Sequence, residues 1–184
     1  MTRLLLLWLA CFALSPARAA TPQVEIRVEL GGVAIQAATL VNADARSVWN
    51  TLTDYNNLAR FVPGMTFSRL VSPPGAAVKL LEQRGDGGLI SLVIPDHVVF
   101  AIEEQPPARI RFRSVSGGLV SVQGEWVIVG EQAPVRLGYR AQIRSALPPP
   151  PLLTEDYVRR EISVRMHALA REAEQRAARA PHVR

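Results

Sequence analysis

The sequence predicts an α+β domain: a curved antiparallel β-sheet wrapped around one long C-terminal helix, with two short helices after the first strands. Three observations predict it. From Thr21 onward most segments alternate apolar and polar residues, the pattern of strands with one wet face. Helical spacing interrupts that alternation between Ala45 and Val62. After the prolines Pro148 to Pro151 the period becomes helical and stays so to about Ala177.

The elements follow in order. Val24, Ile26, Val28 and Leu30 alternate with Glu25, Arg27 and Glu29, a strand. Gly31-Gly32 turns the chain and Val33 to Val41 pairs back as a hairpin. Asn42 or Asp44 caps a first helix that places Val48, Trp49 and Leu52 on one face. Asp54 to Asn57 breaks it, and its carboxylate is expected to accept backbone N–H groups of the turn. Leu58 to Val62 is a second short helix stopped by Pro63-Gly64. Strands are expected at Thr66 to Val71, Ala77 to Gln83, Leu89 to Glu103 with a break at Pro95, Arg109 to Val115, Leu119 to Val129 and Val135 to Ile143. Thr154 caps the last helix, with Glu155 and Asp156 in the first turn where the helix dipole favours acids. Tyr157, Ile162, Met166, Leu169 and Ala173 give it an apolar stripe. The last helix alone is long enough to cover the apolar face of so many strands, and a sheet curved around it leaves a space between the two.

Residues 1–19 read as a cleavable leader. One charge at Arg3 precedes the apolar run Leu4 to Leu14, which is too short to cross a bilayer as a helix. Pro16 breaks the run, and Ala17-Arg18-Ala19 has the small-x-small form of a cleavage site. Removal of the leader leaves 165 residues with 19 basic and 16 acidic side chains, net +3. Cys11, the single cysteine, leaves with it, so the exported chain has no disulfide, thiol nucleophile or thiolate metal site. Residues 20–177 form one domain, and 178–184 a flexible tail.

Ala45-Arg46-Ser47-Val48-Trp49-Asn50-Thr51-Leu52-Thr53-Asp54-Tyr55, followed by Leu58-Ala59-Arg60-Phe61-Val62-Pro63-Gly64-Met65, resembles the START-like (SRPBCC, helix-grip) superfamily. Within it the chain is similar to the polyketide cyclase/dehydrase and coenzyme-Q-binding branch. Gly124-Glu125-Trp126 and the helix from Thr154 add to the resemblance, which covers about Val33 to Arg176. The strand Val24 to Leu30 looks like an addition. The resemblance implies a cavity between sheet and helix. It does not imply one activity, because the superfamily holds both carriers and enzymes.

His97, His167 and His182 have no ligand spacing, and no metal or other cofactor is expected. No Gly-x-Ser-x-Gly elbow occurs, and Gly85-Asp86-Gly87-Gly88 lacks the lysine of a phosphate loop. Among Glu82, Glu103, Glu104 and Glu125, Glu82 is the best candidate for a carboxylate facing the cavity, because it shares parity with Val78 and Leu80. Phe100, Phe112, Trp126 and Tyr139 are inward by strand parity, and Tyr157 and Met166 by helical face. With Glu82 they form the expected cavity lining. Arg111, Arg113, Arg136, Arg140 and Arg144 share one sheet face, consistent with a solvated surface or with transient contact to an anionic membrane surface. No nucleic-acid partner is expected, and the oligomeric state is left open. The reading is an exported protein, periplasmic in a Gram-negative cell, that holds a hydrophobic small molecule such as a lipid, quinone or polycyclic compound. The alternatives are a cyclase or dehydratase enzyme and a cell-envelope interaction module whose sheet–helix space is filled.

Overall fold

The computed structural model describes residues 20–29, 31–86, 96–116, 120–146 and 154–180. The leader, the first half of the strand expected from Leu89, the turn at Gly117-Gly118, the Pro148 to Pro151 run and the end of the tail lie outside them. The described chain runs β1 (Gln23–Glu29), β2 (Gly32–Val41), α1 (Ala45–Leu52), a 3₁₀ helix (Tyr55–Arg60), β3 (Met65–Leu70), β4 (Lys79–Gly85), β5 (His97–Gln105), β6 (Arg109–Ser114), β7 (Val120–Val129), β8 (Val135–Ser145) and α2 (Glu155–Arg179). These strands form one antiparallel sheet in the order β1-β2-β8-β7-β6-β5-β4-β3. The sheet is open and curls around α2, which is the helix-grip arrangement.

Sequence alternation sets which face is which. On β8, Val135, Leu137, Ala141 and Ile143 are buried while Arg136, Arg140 and Arg144 point to solvent. Arg140 on that outer face pairs with Glu125, as does Arg109, so acids dilute the positive face. The α2 stripe that packs on the sheet is Val158, Ile162, Met166, Leu169, Ala170 and Ala173. Tyr157 is not part of it. Val158 stands one turn before Ile162, whereas five residues separate Tyr157 from Ile162 and rotate it off the buried face.

Caps fix where the helices begin. Asp44, not Asn42, caps α1: its Oδ1 accepts from the Ser47 N–H at 2.8 Å. Asn42 instead donates its backbone N–H to Glu174 of α2 at 2.9 Å. Thr154 caps α2 by accepting from the Tyr157 N–H at 3.2 Å. Arg159 of α2 donates to the Val24 carbonyl, which ties β1 to the helix.

Asp54 behaves differently from the sequence expectation. Its carboxylate accepts no backbone N–H of the 3₁₀ helix. It accepts from the Asn57 side chain at 2.8 Å and from Arg176 of α2 at 2.9 Å, and Arg176 also lies over the Phe61 ring. A salt bridge to another element reaches further than a turn, and it fastens the 3₁₀ helix to α2. Burial alone would raise the Asp54 carboxyl, but the bonds from Asn57 and Arg176 and the charges of Arg176 and Arg60 hold it below the usual carboxylate range.

Candidate ligand cavity

Between the curled sheet and α2 lies a cavity of about 230 Å³. Its walls are mostly apolar, with Leu81, Ile110 and Val122 from the sheet facing Ile162 and Leu169 from α2. The 3₁₀ helix and the segment after it contribute Tyr55, Leu58 and Val62. Such a surface gains about 25 cal/mol for each Å² removed from water by an apolar guest.

Four aromatic rings from four consecutive strands make the sheet side of the wall. Phe100 on β5 meets Phe112 on β6 edge to face, with centroids 5.7 Å apart. Phe112 stacks on Tyr139 of β8 at 6.0 Å with the rings 12° from parallel. Trp126 of β7 packs on Tyr139 at 4.5 Å. Phe112 and Tyr139 lie on strands with β7 between them, so a β7 side chain would separate them. The residue opposite Phe112 is Gly124, and that is why the two rings meet. A β carbon there would stand 2.5 Å from Phe112 Cζ and would strike the Arg140 carbonyl oxygen.

Polar groups sit at both ends. At the end where β4 starts and β5 finishes, Glu104 accepts from the Tyr55 hydroxyl at 2.7 Å and from Lys79 at 2.7 Å. Burial, together with the hydrogen bond and charge of Glu104, pushes the Tyr55 phenol far up, so it stays protonated. At the opposite end of β4 the lining includes Gly64, Gly85, Asp86 and Asp96, with Arg165 reaching in from α2. Arg165 pairs with Glu161 at 3.5 Å through Nη2, while its Nε is buried with no hydrogen-bond partner among the described residues. Gly64, at φ +73°, makes room for the guanidinium: a β carbon there would lie 2.8 Å from Arg165 Nη2.

Phe100, Phe112, Trp126 and Tyr139 from the sheet and Met166 from α2 are therefore brought together around one cavity. Glu82 and Tyr157 are not. Leu81 and Gln83 point into the cavity, so Glu82 between them points out, where it binds Arg84 at 2.9 Å and His97 at 2.9 Å. The hydrogen bond from Arg84 is the largest influence on the Glu82 carboxyl, which is held below its usual range, opposite to a buried acid. The parity guide was misleading because Val78 is exposed and lies before the strand begins. Of the four glutamates, Glu104 takes the inward parity, opposite Ile110 in the register, while the acids that line the cavity itself are Asp86 and Asp96. Arg165 and Tyr55 went unpredicted. Arg165 stands three residues after Ile162 and four before Leu169, a spacing that places it at the rim of the apolar stripe.

The family described as polyketide cyclase / dehydrase and lipid transport matches residues 41–178. The chain belongs to that family. β1 and nearly all of β2 precede the matched residues. Among solved structures, the Zhui aromatase/cyclase from a Streptomyces species superposes with a TM-score of 0.64 at 19% identity, covering 86% of this chain and 99% of that one. A STAR-related lipid transfer protein fragment from Xanthomonas axonopodis gives 0.60 at 18% identity, covering 84% and 94%. A di-domain aromatase/cyclase of the steffimycin pathway gives 0.60 at 14% identity over 79% of this chain, which spans 50% of its length. At these identities the likeness is one of fold. No curated protein sequence matches the chain.

Proposed function

We propose that this family member is an exported binding protein that shelters a small apolar molecule in the space between sheet and α2. One observation carries the reading: the space is an open cavity walled by four aromatic rings, not a filled core. Its size narrows the guest. An engineered apolar cavity of about 150 Å³ holds benzene, and drug-sized ligands occupy about 300–1,000 Å³. At about 230 Å³ the space suits a bicyclic compound or a short chain. A full-length lipid or long-tailed quinone would require the 3₁₀ helix to swing away from α2, breaking the Asp54–Arg176 pair. The leader sequence supports export, and family membership supports a hydrophobic ligand.

An envelope module with a filled interior loses its main support, because the interior is open. The enzyme reading rests on Tyr55 and Glu104 at the cavity edge. Both Glu104 oxygens are occupied by Lys79, and one also by Tyr55. That satisfied cluster favours structure over proton transfer. The test is titration of the mature protein with naphthalene, beside Val122→Phe, which enlarges a buried wall residue. Saturable binding that Val122→Phe weakens at least tenfold, with the far-UV spectrum unchanged, is the expected result. Equal binding by the filled variant would place the guest elsewhere.

A further inference from the structure

The alternation that buries one face of the sheet sends every second side chain out of the other, and those outward positions are unevenly charged. β6 presents Arg109, Arg111 and Arg113, and β8 presents Arg136, Arg140 and Arg144. Between them β7 presents one acid, Glu125. It pairs with both Arg109 and Arg140, so it offsets at most one charge. Arg111, Arg113, Arg136 and Arg144 form no ion pair among the described residues. With Glu103 of β5 also counted, opposite Arg111, six arginines against two glutamates leave this face at +4, whereas the whole chain after the leader carries +3. The rest of the molecule is therefore slightly acidic, and its positive charge is gathered on the side of the sheet turned away from α2 and the cavity. The same face exposes aliphatic side chains. One row across β2, β8 and β7 sets Leu40, Arg136 and Val129 side by side. Leu40 is 51% exposed and Val129 59%. The next row, Ala38, Gly138 and Val127, is uncharged. Single exposed apolar residues are ordinary, but here two flank a cation whose stem can lie along them.

We infer that this outer sheet face docks the protein on an anionic lipid surface, with Arg113, Arg136 and Arg144 over headgroup phosphates and Leu40 and Val129 pressed into the interfacial layer. Basic side chains are drawn to the negative potential of such a surface. Charge alone would suit a soluble polyanion equally. The aliphatic pair beside Arg136 favours a partner that is anionic outside and apolar beneath, which is what a bilayer presents. None of these residues lines the sheet–helix cavity. Docking by this face leaves the cavity wall untouched, so the contact tethers the protein and does not depend on which guest it holds.

The test is co-sedimentation of the mature protein with vesicles of phosphatidylcholine alone and of phosphatidylcholine mixed with phosphatidylglycerol, beside retention on immobilised heparin as the soluble polyanion. Binding is expected to the mixed vesicles, not to phosphatidylcholine, and to fall by about tenfold in about 0.5 M salt, which screens exposed charges within a few ångströms. Each arginine near an anionic surface contributes about fivefold, so the combined variant Arg113→Gln, Arg136→Gln, Arg144→Gln should lose about tenfold or more. Those three side chains hold no ion pair among the described residues, so the variant should fold and melt like the parent. The pair Leu40→Ser, Val129→Ser should weaken vesicle binding by about threefold or more and leave heparin retention as it was. Circular dichroism and naphthalene titration should match the parent in both variants, since the substituted positions lie outside the cavity. Vesicle binding that survives in the folded arginine variant places the contact on another face and overturns the inference. Equal binding to both vesicle types, indifference of vesicle binding to the serine pair, retention on heparin with no vesicle binding, and binding to neither overturn it as well; the heparin result assigns the face to a soluble polyanion. If naphthalene does not bind the parent but arginine-dependent vesicle binding is present, the cavity reading fails and the docking surface stands.

Discussion

Substituting alanine for Gly124 would strike the point where the sheet geometry and the cavity wall depend on the same missing side chain. The new β carbon would lie 2.5 Å from Phe112 Cζ and 3.0 Å from Ala141 Cα, and would collide with the Arg140 carbonyl oxygen. Phe112 can turn aside, but two of those atoms are backbone, so β7 and β8 must separate locally. Overpacking of this kind costs about 1–3 kcal/mol. For a domain of this size each kcal/mol lowers the melting temperature by roughly 2–4 °C, so the expected loss is roughly 2–12 °C. The Phe112–Tyr139 stack should open as well, and naphthalene affinity should fall more than the stability loss alone accounts for. Gly138→Ala on the neighbouring strand is the control. A β carbon there meets only Val127, at 3.7 Å and beyond, and its φ is not positive, so stability should hold or rise slightly. Thermal melts followed by circular dichroism and probe titration read both effects. A Gly124→Ala protein that melts within about 1 °C of the parent and binds equally would refute the account of the aromatic wall.

Two further outcomes follow from the ion pair and the leader. The Asp54 carboxyl is held low in the folded chain, so its stabilising contribution is complete above the ordinary carboxylate range and is lost as pH falls through the lowered folded value. Asp54→Asn should therefore cost about 1 kcal/mol or less near neutral pH, since the pair is partly exposed, and the gap from the parent should close in acid; a gap that is unchanged at low pH in paired melts contradicts this. Intact-mass analysis of protein expressed with its leader should find an exported chain that begins at Ala20; retention of Met1 in the exported fraction would contradict cleavage, and absence of the protein from that fraction would remove the secretion reading.

Much of the fold was legible because alternation and caps are local. The β8 pattern of inward apolar residues against Arg136, Arg140 and Arg144 held along its length, and Thr154 began α2 where its side chain said it should. The aromatic wall was legible too, since Phe112, Trp126 and Tyr139 lie on consecutive strands. What parity alone could not supply was which face of β4 is inward. Val78, Leu80 and Glu82 do share a face, but Val78 is exposed and the cavity is lined by Leu81 and Gln83. On α2 the buried stripe takes Val158 where Tyr157 was expected. Asp54 and Glu104 were harder for a different reason. Their partners lie 122 residues away for Asp54 and 25 and 49 for Glu104, and no local pattern encodes a contact made when α2 or a neighbouring element packs.

The central claim is that the sheet–helix space is occupied by a small apolar molecule in the cell. The direct measurement is native mass spectrometry of the mature protein purified gently from its own host, paired with organic extraction. The account predicts a stoichiometric adduct, lost on denaturation, that is a compact apolar compound of about two fused rings or a short chain. A clean unliganded mass, with no uptake from a panel of bicyclic, acyl and quinone compounds, would contradict it.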